Sequence, residues 1–171
     1  YCLRDLKNSK RIERSIGTLG GGNHFIEVGL DDDNNKFLVI HSGSRNLGKQ
    51  VAEIYQRLAI DLCSGKKEFF IKKDQIIKSY KEEGRRKEIN KVLKELENEY
   101  KGLEPKYPKD LCYLTGEYRQ RYLHDMKICQ EYATTNRMVM ADIILKALLN
   151  KNLDEFNHFE TIHNYIDFKD N

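Results

Sequence analysis

The 171 residues contain five histidines, and three of them, His24, His41 and His163, stand in apolar, strand-like contexts. Histidine is the commonest metal ligand and can also serve as a base, so three in such contexts point to a bound cation or to proton transfer. For any one alone, a hydrogen-bonded core histidine is the simpler account. His24 and His41 together shift the balance, because NHFIEVGL and KFLVIHSG flank the turn-forming DDDNN and read as an antiparallel hairpin. With a four-residue tip, 31–34, position 30 pairs with 35 and His24 faces His41 at the open end. Opposed side chains have Cβ atoms roughly 4.5–5.5 Å apart, from which two imidazoles can share one cation at about 2.0–2.1 Å from each nitrogen. A five-residue tip would shift that register. His163 offers a third imidazole in IHNY, which sets Asn beside His as NHF does, whereas His124 and His158 read as structural.

Three glycines, Gly20, Gly21 and Gly22, lead through Asn23 into His24 as GGGNHF. Such a run marks unusual dihedrals or a close approach to the backbone. After His41, HSGSRNLGKQ fits G-x-x-x-x-G-K from Gly43 to Lys49, between a predicted strand and a predicted helix. Gln50 stands where that motif needs Ser or Thr for Mg²⁺, and the serines miss the G-x-S-x-G elbow of hydrolases. What remains is a loop of small residues with N–H groups open to an anion, plus Arg45, whose planar fork suits phosphate. A surface salt bridge would account for Arg45 equally well. A divalent cation beside preorganised donors shares the charge of a phosphoryl transition state, so phosphate chemistry is the natural composite reading.

The elements that must hold these residues follow from periodicity. GKQVAEIYQRLAIDLCSG predicts a helix with Val51, Ile54, Tyr55, Leu58 and Leu62 on one stripe and Gly65 as its stop. From Lys66 to Lys101 there are 12 Lys and Arg against 8 Asp and Glu, a local net of +4 that exceeds the whole-chain +3. Phe69, Ile76 and Tyr80, then Ile89, Val92, Leu93, Leu96 and Tyr100, keep a helical period on either side of Gly84, which predicts an αα-hairpin. Its basic clusters suit RNA phosphates, although a solvated helix face explains them too. PKYPKD holds both prolines and ends this arm; GEYRQRYLHDM through ILKALL then predicts one long or two consecutive helices, and FETIHNYIDF a short strand.

The 39% hydrophobic and 33% charged composition fits one domain with a long solvated element. No apolar run approaches the ~20 residues needed to span a bilayer, and no secretory signal precedes the first motif, so a soluble, cytoplasmic protein is expected. Cys2, Cys63, Cys112 and Cys129 are too widely spaced for a C-x-x-C site and read as free thiols in a reducing compartment. The chain is expected to be the central piece of a longer protein.

GTLGGGNHFIEV, HSGSRNLGKQV, YLHDM with YATTNR, and IHNY, in this order, closely resemble the RtcB family of RNA-splicing ligases, from about Ser15 to Asp167. The resemblance implies an RNA ligase that uses GTP and Mn²⁺ to join a 3′-phosphate or 2′,3′-cyclic phosphate end to a 5′-hydroxyl through a histidine–GMP intermediate. It implies His24, His41 and His163 as metal ligands. It implies Asn23, His24, Phe25, Ile26, Glu27, His163 and Asn164 as the guanylate-binding set, and Arg45 as the catalytic, phosphate-contacting residue. The partners implied are RNA and GTP, with no membrane. The family's upstream Asp and Cys ligands and its downstream guanylylated histidine are not among these residues; Cys2 and Asp5 do not stand in that motif, and Asn46 replaces a frequent glycine. The expected fold is α+β, a mostly antiparallel β core bearing the metal site and flanked by helices. Residues 1–65 and 102–171 form one catalytic domain, incomplete at both ends, with 66–101 as an inserted helical hairpin. The alternatives are a metal- and nucleotide-binding regulatory or RNA-binding module that does not ligate, and, further off, a P-loop NTPase.

Overall fold

The computed structural model describes residues 1–162, so His163 and Asn164 lie outside the described residues. Among the described residues two β-strands and five α-helices follow in the order α1 (Ser9–Glu13), β1 (Phe25–Leu30), β2 (Lys36–His41), α2 (Arg45–Cys63), α3 (Lys67–Glu82), α4 (Ile89–Glu99) and α5 (Gly116–Leu149). The mixture is α+β, as expected from the sequence. The chain forms two compact units, one of Tyr1–Ala52 with the chain from Arg121 onward, the other of Glu53–Gln120.

In the first unit most of the packed apolar side chains come from helices: Ile12 of α1, Leu47 and Val51 of α2, and Cys129, Ala133 and Met140 of α5 are buried, together with Cys2 near the start of the chain. The 34 residues of α5 form one continuous helix, about 50 Å long. Its buried positions, Asp125, Cys129, Ala133, Asn136 and Met140, are spaced by four, four, three and four, one seam of an α-helix. Two members of that seam are polar, and both are bonded: Asp125 accepts the Cys2 N–H at 2.9 Å, and Asn136 belongs to the site described below. Asn150, in the left-handed region at φ 53°, ends the helix.

The second unit holds the charged segment. Phe69 of α3 meets Tyr100, just after α4, with ring centroids 5.5 Å apart, and Leu96 is buried. Between the helices Gly84 takes a positive φ, and Arg85 is fixed by Glu83 and Glu88 at 3.1 and 2.7 Å while its guanidinium lies 4.5 Å from the Tyr80 ring.

The sheet differs from expectation in size and in register. Among the described residues it is a two-stranded antiparallel ribbon rather than a mostly β core, and it leaves Phe25, Val28, Leu30 and Phe37 exposed. Residues 159–162 of the predicted third strand carry no strand. In the ribbon Leu30 pairs with Lys36, so the connection is five residues and Phe25, not His24, faces His41. The cause is Asp31. Its carboxylate accepts the N–H groups of Asp33 and Asn35 at 3.0 and 2.8 Å and the Asn35 side-chain amide at 2.9 Å, while Asn34 sits in the left-handed region at φ 63°. Asn tolerates that conformation and Asp readily caps its own turn, so all five residues of DDDNN form the tip rather than the four, 31–34, that would have paired His24 with His41.

Candidate functional site

The backbone carbonyl of Leu19 is the centre of the site. Three side chains donate to it: His24 Nδ1–H at 2.7 Å, Ser42 Oγ–H at 2.9 Å and Arg45 Nη1–H at 3.0 Å. Each comes from a different local element. His24 stands immediately before β1, Ser42 immediately after β2, and Arg45 opens α2. Because a carbonyl only accepts, the short His24 contact puts the imidazole proton on Nδ1 and leaves the lone pair on Nε2. This is the tautomer that a histidine bound to metal through Nε2 requires, with the other ring nitrogen held by a backbone oxygen. Arg45 Nη1 also lies 3.3 Å from His24 Nδ1, two donors converging on one acceptor.

The glycines before His24 now have a physical reason, and the decisive one is Gly20. Its φ is +95°, and a Cβ there would fall 1.3 Å from Arg45 Nη1 and 2.6 Å from His24 Nδ1. Only a residue without a side chain lets the guanidinium and the imidazole close on the neighbouring carbonyl.

Arg45 is held in an unusual state. It takes φ 56°, the left-handed region, at the start of α2, a conformation that costs an L-residue roughly 1–2 kcal/mol. Its Nε is buried and finds no hydrogen-bond partner among the described residues. A buried donor left without an acceptor is costly, and a guanidinium makes its strongest hydrogen bonds to anionic oxygens. Near it, burial raises the Tyr132 hydroxyl above its ordinary pKa, with the Arg45 charge opposing that rise.

Two residues of α5 complete the arrangement, and reasoning from the sequence did not assign either a role. Asn136 is fully buried; its Oδ1 accepts the N–H groups of Gly17 and Thr18 at 2.8 and 3.2 Å, and its Nδ2 donates to the Thr18 carbonyl and Ser42 Oγ at 3.3 and 3.2 Å. Arg137 donates to the Ser42 carbonyl at 2.8 Å and pairs with Glu160 through Nε at 2.7 Å and through Nη2. The available signal was an asparagine falling in helical period with Cys129, Ala133 and Met140, since a polar side chain at a core position must find partners.

Of the residues expected to act, the structure brings His24 and Arg45 together. His41 instead stacks on Phe25, with centroids 5.1 Å apart and planes 10° from parallel. Asn23, Ile26 and Glu27 are exposed, with Ile26 opposite Ile40 and Glu27 opposite Val39. Among the described residues no three His, Cys, Asp or Glu side chains gather as a metal site. His124 is exposed and packs T-shaped against Tyr1, with ring centroids 5.0 Å apart, and His158 is exposed in a loop.

Comparison with known proteins agrees with the residues. The family model of tRNA-splicing ligase RtcB matches residues 3–171. RNA-splicing ligase RtcB of Escherichia coli strain K12 is 28% identical over 137 residues, covering 79% of this chain and 25% of that protein. The tRNA-splicing ligases RtcB of Nanoarchaeum equitans and Methanopyrus kandleri are 38% and 36% identical over 64 and 77 residues, covering 29% and 34% of this chain and 13% and 8% of theirs. The chain thus spans about a quarter of the length of the Escherichia coli relative, and less of the others. No solved structure gives a significant match.

Proposed function

Since the chain belongs to the RtcB tRNA-splicing ligase family, we propose that the intact protein joins RNA ends, a 3′-phosphate or 2′,3′-cyclic phosphate to a 5′-hydroxyl, with GTP and Mn²⁺. The observation that carries this reading is the Leu19 carbonyl, on which a tautomer-fixed imidazole and an arginine with an unsatisfied buried N–H converge. These are the two groups that phosphoryl transfer needs side by side, a metal-ready nitrogen and a cation with a hydrogen bond to give.

In this reading His24, His41 and His163 would hold Mn²⁺. His24 fits, because Nε2 keeps its lone pair. His41 stands at the end of β2, one residue before Ser42, whose hydroxyl reaches the same carbonyl. When bound, the cation supplies charge neutralisation at phosphate oxygens. Arg45 offers its guanidinium to a phosphoryl oxygen and so stabilises charge as it grows there. Asn23 and Glu27, both exposed, offer an amide and a carboxylate to the guanylate, with Phe25, Ile26 and Asn164 completing that set.

A 2′,3′-cyclic phosphate end is first opened to a 3′-phosphate, water adding to phosphorus and the 2′-oxygen leaving as the hydroxyl; joining then proceeds by three displacements at phosphorus. A histidine nitrogen of the intact protein attacks the α-phosphorus of GTP and pyrophosphate leaves. The RNA 3′-phosphate oxygen then takes the GMP from histidine, and the 5′-hydroxyl finally attacks the activated 3′-phosphorus, releasing GMP and forming the phosphodiester.

Incubating the full-length protein with α-³²P-labelled GTP and Mn²⁺ tests the reading. Label held on the protein and discharged by RNA carrying a 3′-phosphate is expected. Nucleotide binding with no covalent label would favour the other reading, a module that binds metal and nucleotide without ligating.

A further inference from the structure

We propose that Asn136 is a positioning residue for His24, acting from α5 through Ser42 and the Gly17–Leu19 backbone to hold the imidazole in its Nδ1–H tautomer. The amide of Asn136 is fully buried and uses both of its ends. Its orientation is set by its partners. The two backbone N–H groups of Gly17 and Thr18 need an acceptor, and the Thr18 carbonyl needs a donor, so oxygen and nitrogen cannot be exchanged. Three bonds therefore pin the backbone just before Leu19. The fourth, to Ser42 Oγ, leaves the Ser42 hydroxyl proton to be given to the Leu19 carbonyl.

That carbonyl is the acceptor for His24 Nδ1–H. The path from Asn136 Nδ2–H to Ser42 Oγ–H to the Leu19 oxygen to His24 Nδ1–H is continuous, with distances of 3.2, 2.9 and 2.7 Å. Arg45 joins at the same oxygen, so the fixed carbonyl orients imidazole and guanidinium together. If the carbonyl moves, nothing on this path keeps the proton on Nδ1, and Nε2 loses the lone pair that a cation requires. The functional meaning of this device rests on the proposed role of His24 in metal binding. The tautomer itself does not.

The test uses the full-length protein with ¹⁵N-labelled histidine. Imidazole ¹⁵N resonances of the metal-free protein report the tautomer of His24, assigned with His24→Ala, and a Mn²⁺ titration followed by electron paramagnetic resonance reports affinity. The wild type is expected to show the Nδ1–H form. Asn136→Ala is expected to mix the two tautomers and to weaken Mn²⁺ binding about tenfold, the scale seen when a partner of a ligating histidine is removed. Ser42→Ala cuts the path while sparing the three backbone bonds of Asn136. It should move both readouts in the same direction, and it decides the matter if Asn136→Ala does not fold. A merely structural asparagine would lower the melting temperature and leave the tautomer of the folded protein unchanged; that result, in either folded variant, overturns the proposal. His24→Ala separates the two ideas. If it leaves Mn²⁺ affinity intact while the Asn136 and Ser42 variants still shift the tautomer, the metal role of His24 fails and the positioning role stands.

Discussion

A single carbonyl oxygen, that of Leu19, organises the chemistry-bearing side chains, and substitutions around it have separable consequences. At Gly20 any Cβ meets the Arg45 guanidinium at 1.3 Å, and the backbone is already at φ +95°. Gly20→Ala is therefore expected to displace Arg45 and to destabilise the protein by about 1–2 kcal/mol, read as a lowered denaturation midpoint together with reduced joining. A variant as stable and active as the parent would mean that the close approach has no consequence. Arg45→Ala removes the proposed phosphate donor but leaves His24 and Ser42 on the Leu19 carbonyl. Joining should fall by roughly 10²–10³, as when one preorganised donor to a transition state is lost, while Mn²⁺ affinity changes far less. Ligation at the parental rate would reduce Arg45 to a packing residue.

At the scale of elements, the hairpin shows how one turn decides what a strand presents. Because side chains alternate along a strand, a shift of one residue exchanges the faces, and the observed pairing sets His41 opposite Phe25. The turn responsible depends on Asn34 at φ 63° and on the Asp31 carboxylate. Asn34→Val puts a β-branched residue where the left-handed region penalises it most, so the amides of β1 and β2 should exchange with solvent faster. Unchanged exchange would show that the register is set elsewhere. Acid should have a related effect. Hydrogen bonds from the Asn35 side chain and backbone hold the Asp31 carboxyl below its ordinary pKa of 3.8. Its contribution to turn order is then present above the ordinary value and lost as pH falls through the lowered one. Amide exchange at Asn35 should accelerate only below the ordinary carboxylate range.

For the whole molecule, the residues around Leu19 all belong to one compact unit, and the charged segment lies in the other. Deleting residues 66–101 from the intact protein should leave Mn²⁺ binding in place; loss of cation binding from a folded deletion variant would make that segment part of the site. The sequence by itself determined much about this protein. Motif order identified the family, and periodicity located α2, α3, α4 and α5, because helices are specified by patterns that repeat within a few residues. Only the tertiary structure decided three things. It made the packed core of the first unit helical, since a two-stranded ribbon cannot bury both faces by itself. It set the hairpin register, through hydrogen bonds that Asp31 makes within its own turn. And it joined Asn136 to partners 94 and 118 positions away in the chain, a meeting that no local pattern encodes because the bonds exist only once α5 has packed against the glycine-rich loop.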